Sequence, residues 1–308
     1  MPVARTHSIA LVGVEGHPVE IESDIENGLP CLFLVGLPDT ALREARDRIR
    51  SAIINSREQW PQRRITVGLS PASLPKRGSG FDLGIALSIL AAAGTIPSAA
   101  IDGVAFLGEL GLDGRLRPVR GVLPAMAAAA GAGFARVVVA QANAAEAALV
   151  PGLQVAGAPD LSALLAWLRG RPGAGLPGPG AIGPSEYGEV PAVPYGATVR
   201  PFTGSARPFT GPARPTQPRP DLSEVLGQPA ARRAAEICAA GGHHLSLLGP
   251  PGAGKTMLAE RLPTVMPPLD RAAALEVTSI HSVAGTLPAG SPLMTEPPNR
   301  TRERCGLP

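Results

Sequence analysis

Residues 249–256 read Gly249-Pro250-Pro251-Gly252-Ala253-Gly254-Lys255-Thr256, which satisfies G-x-x-x-x-G-K-[ST]. No other stretch constrains the fold as tightly, because such a loop works only between a buried strand and the start of a helix. The apolar run HLSLLG precedes it and is expected to be that strand, and residues 256–262 are expected to be the helix. The glycines let backbone N–H groups turn inward around the β- and γ-phosphates, and the helix N-terminus adds its positive dipole end. Lys255 neutralises phosphate charge, and the Thr256 hydroxyl can ligate magnesium. The ligands implied are ATP and Mg²⁺. A chance turn is the competing reading in a chain with 37 Gly and 35 Pro, and the flanking elements argue against it.

Hydrolysis needs more than a phosphate loop. A P-loop enzyme also requires an apolar strand ending in Asp or Asp-Glu to position magnesium and water. None follows the loop in this sequence. The nearest pattern, VAFLGEL with Glu109, lies far upstream and reads as an ordinary strand entering a turn at Leu112-Asp113-Gly114.

The 308 residues suffice for two domains, and 44% apolar content can fill their cores. Between residues 8 and 170 short β-like runs alternate with Ala-rich helical stretches, which predicts a mixed α/β or α+β domain over 1–170. Strands are expected at 8–14, 19–25, 64–69 and 137–140. Helices are expected at 40–54, with Leu42, Ala45, Ile49 and Ile53 on one face, and at 81–93, 124–130, 142–150 and 161–168, where Trp167 is a core residue. Residues 171–219 are dense in Pro and Gly and carry a doubled seven-residue unit with Arg200, Arg207 and Arg214 in register. Such a segment cannot bury enough apolar area to offset its ordering entropy, so a disordered linker is expected, its arginines solvated. A second unit over 220–298 opens with a helix at 229–240 that stops at Gly241-Gly242.

A net charge of +3 on 28 basic and 25 acidic residues does not mark the whole chain as a nucleic-acid or membrane binder. Arg46, Arg48, Arg50, Arg63 and Arg64 are interleaved with acids, a pattern that does not decide between a DNA contact and solvated faces. Cys31, Cys238 and Cys305 lie far apart and suggest neither a disulfide framework nor a zinc site, which fits a reducing compartment. The first residues lack an apolar signal core, so a cytoplasmic protein is expected. His243-His244 at a helix-to-strand turn, His281, His7 and His17 show no metal-ligand spacing. Lys76 and Ser79 could suggest a Ser/Lys hydrolase dyad, but a Gly-rich turn before the helix at Phe81 accounts for them.

These motifs together resemble the ComM/YifB family of magnesium-chelatase-like AAA+ ATPases. In the first domain the resemblance rests on Asn27-Gly28-Leu29-Pro30, Val35-Gly36-Leu37-Pro38-Asp39, the stretch from Glu44 to Ala52, Pro75-Lys76 through Asp82-Leu83, Phe106 to Leu110 and Gly114 to Gly121. In the second it rests on Val225-Leu226-Gly227-Gln228, the P-loop and Ile280-His281-Ser282-Val283-Ala284-Gly285. The resemblance implies a Lon-protease-like α+β fold for the first domain. When Gly84-Ile85-Ala86 is laid on the Lon pattern, Asp82 occupies the nucleophile position, so peptidase activity is not implied. It also implies that Gly227 and Gln228 contact adenine, and that the family forms hexameric ATPases acting on DNA, with branch migration in natural transformation as a role. The family continues for about another AAA+ core beyond Pro298, whereas residues 299–308 are charged and unlike what precedes them. The expectation is therefore a truncated ATP-binding protein with little hydrolysis of its own. A non-enzymatic interaction or oligomerisation module built on the first domain is the alternative, and chelation in tetrapyrrole synthesis has only kinship behind it.

Overall fold

The computed structural model describes residues 3–36, 40–170, 221–287 and 293–298. They fall into two compact units. The first comprises residues 3–36 and 40–170 with 279–287, and the second comprises 221–278 with 293–298. The proposed linker 171–219 with Arg200, Arg207 and Arg214, the tail 299–308 with Cys305, and Leu37, Pro38 and Asp39 lie outside the described residues.

The first unit is organised by an alternating pattern. In β2 (Glu15–Glu26) Val19, Ile21, Ser23 and Ile25 are buried while Glu20, Glu22, Asp24 and Glu26 take the other face. It pairs antiparallel with β1 (Ala4–Val12) across a two-residue turn, Gly13-Val14, with Val12 opposite Glu15 and Ala4 opposite Ser23. Gly13 sits at φ 64, as the first central position of a tight hairpin turn requires. β3 (Cys31–Val35), β4 (Arg64–Ser70), β5 (Val104–Leu107), β8 (Arg136–Ala140) and β9 (Gln154–Ala158) complete a seven-stranded sheet in the order β3-β4-β2-β1-β5-β8-β9. Only β2 runs against the rest. A small hairpin of β6 (Glu109–Leu110) and β7 (Leu116–Arg117) follows β5. The unit is thus α/β with a mostly parallel sheet, and Glu109 enters a turn as its sequence indicates.

Helix α1 (Thr40–Asn55) buries Ala45, Ile49, Ala52 and Ile53. Helix α2 (Asp82–Ala92) is buried along nearly its whole length, which is why its apolar residues show no helical stripe. Its two polar exceptions are satisfied. The Ser88 hydroxyl lies 2.6 Å from that of Ser23, and Asp82 is ion-paired as described below. Helix α3 (Val122–Gly131) starts two residues before its predicted bound, with Pro124 tolerated in the first turn. Helix α5 (Leu161–Leu168) places Trp167 in the core, 4% exposed. Asp160 caps α5, accepting from Ala163 N–H at 2.8 Å. Asp160→Ala is expected to cost about 1 kcal/mol, read as a lower urea midpoint at unchanged slope.

Two sequence expectations are corrected, and two strands had none. The helix expected over 142–150 is a 3-10 turn followed by the four residues of α4 (Ala144–Ala147), because Val150 precedes Pro151 and Asn143 is recruited to bracket Val119, accepting from its N–H at 2.9 Å and donating to its carbonyl at 3.1 Å. Strands β3 and β9 carry no expectation at all. QVAGA has weak β propensity, and its pairing with β8 makes it a strand. HLSLLG, moreover, is not a strand: residues 243–250 lie in no helix or strand, and among the described residues no neighbour pairs with them. A strand is defined by its ladder, and apolar content alone does not supply one.

The second unit has a small core. Leu222, Val225, Ala235 and Leu258 are buried, with Leu245, Leu247, Met257, Leu262 and Val265 packed around them. Its helices are α6 (Pro229–Gly241), α7 (Lys255–Arg261) and the first part of α8 (Arg271–Ala284). No helix among the described residues is long and apolar enough to cross a membrane.

Candidate nucleotide-binding loop

The loop forms where a segment outside helix and strand gives way to α7. Gly254 is the N-cap of α7 at φ 76, and Leu258 N–H reaches its carbonyl at 3.0 Å. Its positive φ favours glycine, and a Cβ there would lie 2.9 Å from Gln228 Nε2, so the bare glycine leaves room for Gln228 to close over the loop. Gln228 does close: its side-chain amide donates to Ala253 O at 3.2 Å. The segment Val225-Leu226-Gly227-Gln228 and the P-loop are thereby brought together. Gln228 is itself held at the N-cap of α6 in a left-handed conformation, φ 50, ahead of Pro229.

Lys255 Nζ donates to Gly249 O and to Pro250 O, both at 2.8 Å. The ammonium therefore sits across the base of the loop and ties its first residues to the helix. Ala253 N–H donates to Pro250 O at 3.3 Å, within the turn spanned by Pro250, Pro251 and Gly252. Nothing lies within 4 Å of where a Gly252 Cβ would be, so this side of the loop is open. Thr256, the second residue of α7, is exposed. A polyphosphate is compatible with this arrangement, since the loop has an open face and a lysine whose present partners are carbonyls that an anion can replace. From the far end of α7, Arg261 bonds Asp221 O at 3.1 Å and Glu224 Oε2 at 2.9 Å and clamps the helix onto the start of the unit. Leu226 and Leu248, on either side of this region, are 90% and 95% exposed. His243 and His244 are also exposed, and His243 N–H donates to Cys238 O at 2.9 Å as part of the α6 stop.

In the first unit the Lys76 region resolves differently from a dyad. Lys76 is buried and donates to Pro71 O, while the Ser79 hydroxyl donates to Glu109, so the two residues do not engage each other. Burial pushes the Lys76 ammonium below its usual range. Gly108 N–H reaches Gly80 O at 3.0 Å and Leu83 N–H reaches Gly108 O at 3.2 Å, which stitches the glycine-rich turn to the end of β5. At the first turn of α2, Asp82 is fully buried and receives Arg48 Nε at 2.9 Å, Arg48 Nη2 at 3.2 Å and Leu110 N–H at 3.3 Å. Burial pushes the Asp82 carboxyl up to about 6, against the pull of Arg48. Arg48 is therefore not part of a solvated face, although Arg46 and Arg50 are exposed. The signal for it was present: Arg48 follows Ala45 by three residues and precedes Ala52 by four, on the same helical stripe. Arg64 is exposed but stacks over Phe33, 5.2 Å from its ring centre. Ser282, in the 280–285 segment grouped with the first unit, donates to Glu146, and its carbonyl accepts from Gly121 N–H at 3.2 Å.

One unit carries a G-x-x-x-x-G-K-[ST] loop ahead of a helix and the other a mostly parallel α/β sheet, and both match known proteins. The pattern of subunit ChlI of Mg-chelatase matches residues 21–143, and that of magnesium chelatase, subunit ChlI, matches 221–305. The chain is similar to an uncharacterized protein of Mycobacterium tuberculosis strain H37Rv, 46% identical over 97% of this chain and 53% of the relative. It is 40% identical to the uncharacterized protein YifB of Salmonella typhimurium, over 92% of this chain and 50% of that one. It is 38% identical to the competence protein ComM of Haemophilus influenzae over the same shares. The chain belongs to the magnesium-chelatase-like family of YifB and ComM. It spans about half the length of the relatives it matches.

Proposed function

We propose that this chain binds ATP with magnesium through Gly249, Pro250, Pro251, Gly252, Ala253, Gly254, Lys255 and Thr256, with Gly227 and Gln228 beside the base. Thr256 is the magnesium ligand of this reading. The observation that carries it is the closure of Gln228 onto the loop that Lys255 braces. Magnesium bound with the nucleotide would offset phosphate charge. Lys255 orients the phosphates, and Gly252 leaves them an open approach. In this reading the chain is part of an AAA+ protein acting on DNA in recombination during competence, a role suggested by the ComM relative. Its partners are ATP, DNA and, with a complete AAA+ core, further copies in a hexamer in the cytoplasm, and this stretch alone hydrolyses little.

The first unit is read as a Lon-like domain without peptidase activity. In support, Asp82 is committed to Arg48, Ser79 to Glu109 and Lys76 to Pro71. A second reading, an interaction or oligomerisation module resting on the first unit, is favoured by the contrast between that unit's large core and the exposed Leu226 and Leu248 beside the phosphate loop.

Equilibrium binding of a fluorescent ATP analogue with magnesium tests the choice. Saturable binding is expected, weakened about 10- to 100-fold by Lys255→Ala, the range of one charge-assisted contact. Ligand at about 100 times its dissociation constant would add roughly 2.7 kcal/mol of stability. Absence of binding by the unsubstituted chain would leave the module reading standing.

A further inference from the structure

The sheet of the first unit changes direction of growth between β1 and β5. From β1 the chain turns back through β2 and adds β4 and β3 on one side, and from β5 it adds β8 and β9 on the other. β1 and β5 are parallel, with His7 opposite Ala105. Their carboxyl ends therefore separate, since β1 continues to Val12 while β5 ends at Leu107 and departs into the β6–β7 hairpin. Crevices at the carboxyl ends of parallel strands, where strand order reverses, are where open α/β sheets bind ligands.

Such a crevice is present. A cleft of about 370 Å³ lies between Ile9 and Leu11 at the end of β1 and Leu107 and Glu109 beyond β5, a volume within the range of small-molecule sites. Phe81 adds an apolar residue to its lining, and Arg77 and Arg120 are the two basic residues there, Arg120 also packing its guanidinium against Gly285. Among the described residues neither arginine makes a hydrogen bond or ion pair. Each is a planar fork suited to a phosphate or carboxylate. The opposing carboxylate, Glu109, already accepts from Ser79 and has Arg117 Nη1 at 3.9 Å, so the lining is net positive.

We propose that this cleft is a second ligand site, distinct from the P-loop, for a phosphate-bearing organic molecule of about nucleotide size. Arg77 and Arg120 take the phosphate, the apolar side chains of Ile9, Leu11 and Phe81 take the body, and Glu109 takes a hydroxyl or amine donor.

The test titrates the full chain carrying Lys255→Ala, which disables the P-loop, with AMP, a ligand that also lacks the phosphates the P-loop cradles. Saturable binding is expected, with a dissociation constant raised at least tenfold by Arg77→Ala and by Arg120→Ala, and with inorganic phosphate binding at least tenfold more weakly than AMP. Both arginines are exposed, so these variants keep the fold, and Arg115→Ala, on the hairpin outside the cleft, should leave binding unchanged. No saturation by about 10 mM AMP, the weak end of small-ligand binding, would overturn the proposal. So would equal weakening by Arg115→Ala, or inorganic phosphate equal to AMP. A 5′-phosphorylated oligonucleotide that binds over tenfold tighter than AMP would assign the arginines to nucleic acid and overturn the small-molecule site.

Discussion

Arg48→Ala should destabilise the first unit by about 3–5 kcal/mol at pH 8, because it strands a fully buried carboxylate whose only other partner among the described residues is the Leu110 N–H. The cost should shrink as pH falls. Asp82 titrates near 6 in the folded chain against an ordinary value of 3.8, so its pKa is raised on folding and the folded state takes up the proton first. Its contribution to stability is then complete below about 3.8 and is lost as pH rises through 6. Removing Arg48 removes the main influences that lower this pKa, which moves the folded value further up and widens the window in which the neutral acid stabilises the fold. The penalty of Arg48→Ala at pH 5 should accordingly be smaller than at pH 8 by about 1–2 kcal/mol, from the size of one to one and a half pKa units. Urea unfolding of both proteins at the two pH values measures it. The double variant Arg48→Ala/Asp82→Asn removes the stranded charge and should recover most of the loss at pH 8. A penalty that is equal at both pH values, or a double variant no better than the single, would mean that Arg48 acts through packing of its stem alone.

That pair also shows where reading the sequence stops. The helical stripe of α1 was legible in Ala45, Ile49 and Ile53, and Arg48 lies on it, yet a charge among charges reads as solvent-facing until its partner is known. The partner, Asp82, is 34 residues away, and no local rule joins them. The alternation of β2 was legible because one of its faces is buried and the other is acidic, so period two is written in the residue types. Strand β9 was not, since QVAGA has no such contrast and is held by its register with β8.

The candidate site divides along the same line. The G-x-x-x-x-G-K-[ST] pattern is local, its glycines and Lys255 within eight residues, and the helix it predicts follows as α7, whereas the strand expected before it does not form. Gln228 is 25 residues from Ala253, and only the resemblance singled it out, as an adenine contact rather than a partner of the loop. The cleft between β1 and β5 was invisible, because Ile9, Arg77, Glu109 and Arg120 meet only through strand order. HLSLLG failed for the opposite reason: its local signal is strong, but pairing depends on neighbours that the described residues do not provide.

Gly36→Ala should cost the first unit about 2–5 kcal/mol, although the residue ends an edge strand and adds no side-chain contact. A methyl group there would lie 2.2 Å from the carbonyl oxygen of Leu69 and 3.0 Å from its carbon, both backbone atoms of β4 that cannot rotate away. Gly36 also sits at φ 109, where a Cβ is strained even in open space. The two effects can be separated with Gly13→Ala, whose φ of 64 is likewise positive but whose Cβ would meet nothing within 4 Å. That control should show the conformational term alone, about 1–2 kcal/mol. The difference between the variants is then the clash, about 1–3 kcal/mol for forcing apart backbone that is otherwise close-packed. Relief requires β3 to slide off β4, so Gly36→Ala should also speed amide exchange in the Cys31–Val35 ladder, while Gly13→Ala should leave that ladder protected. If both variants lose the same stability, and β3 exchanges at its original rate in each, the close approach of Gly36 to Leu69 does not constrain the sheet.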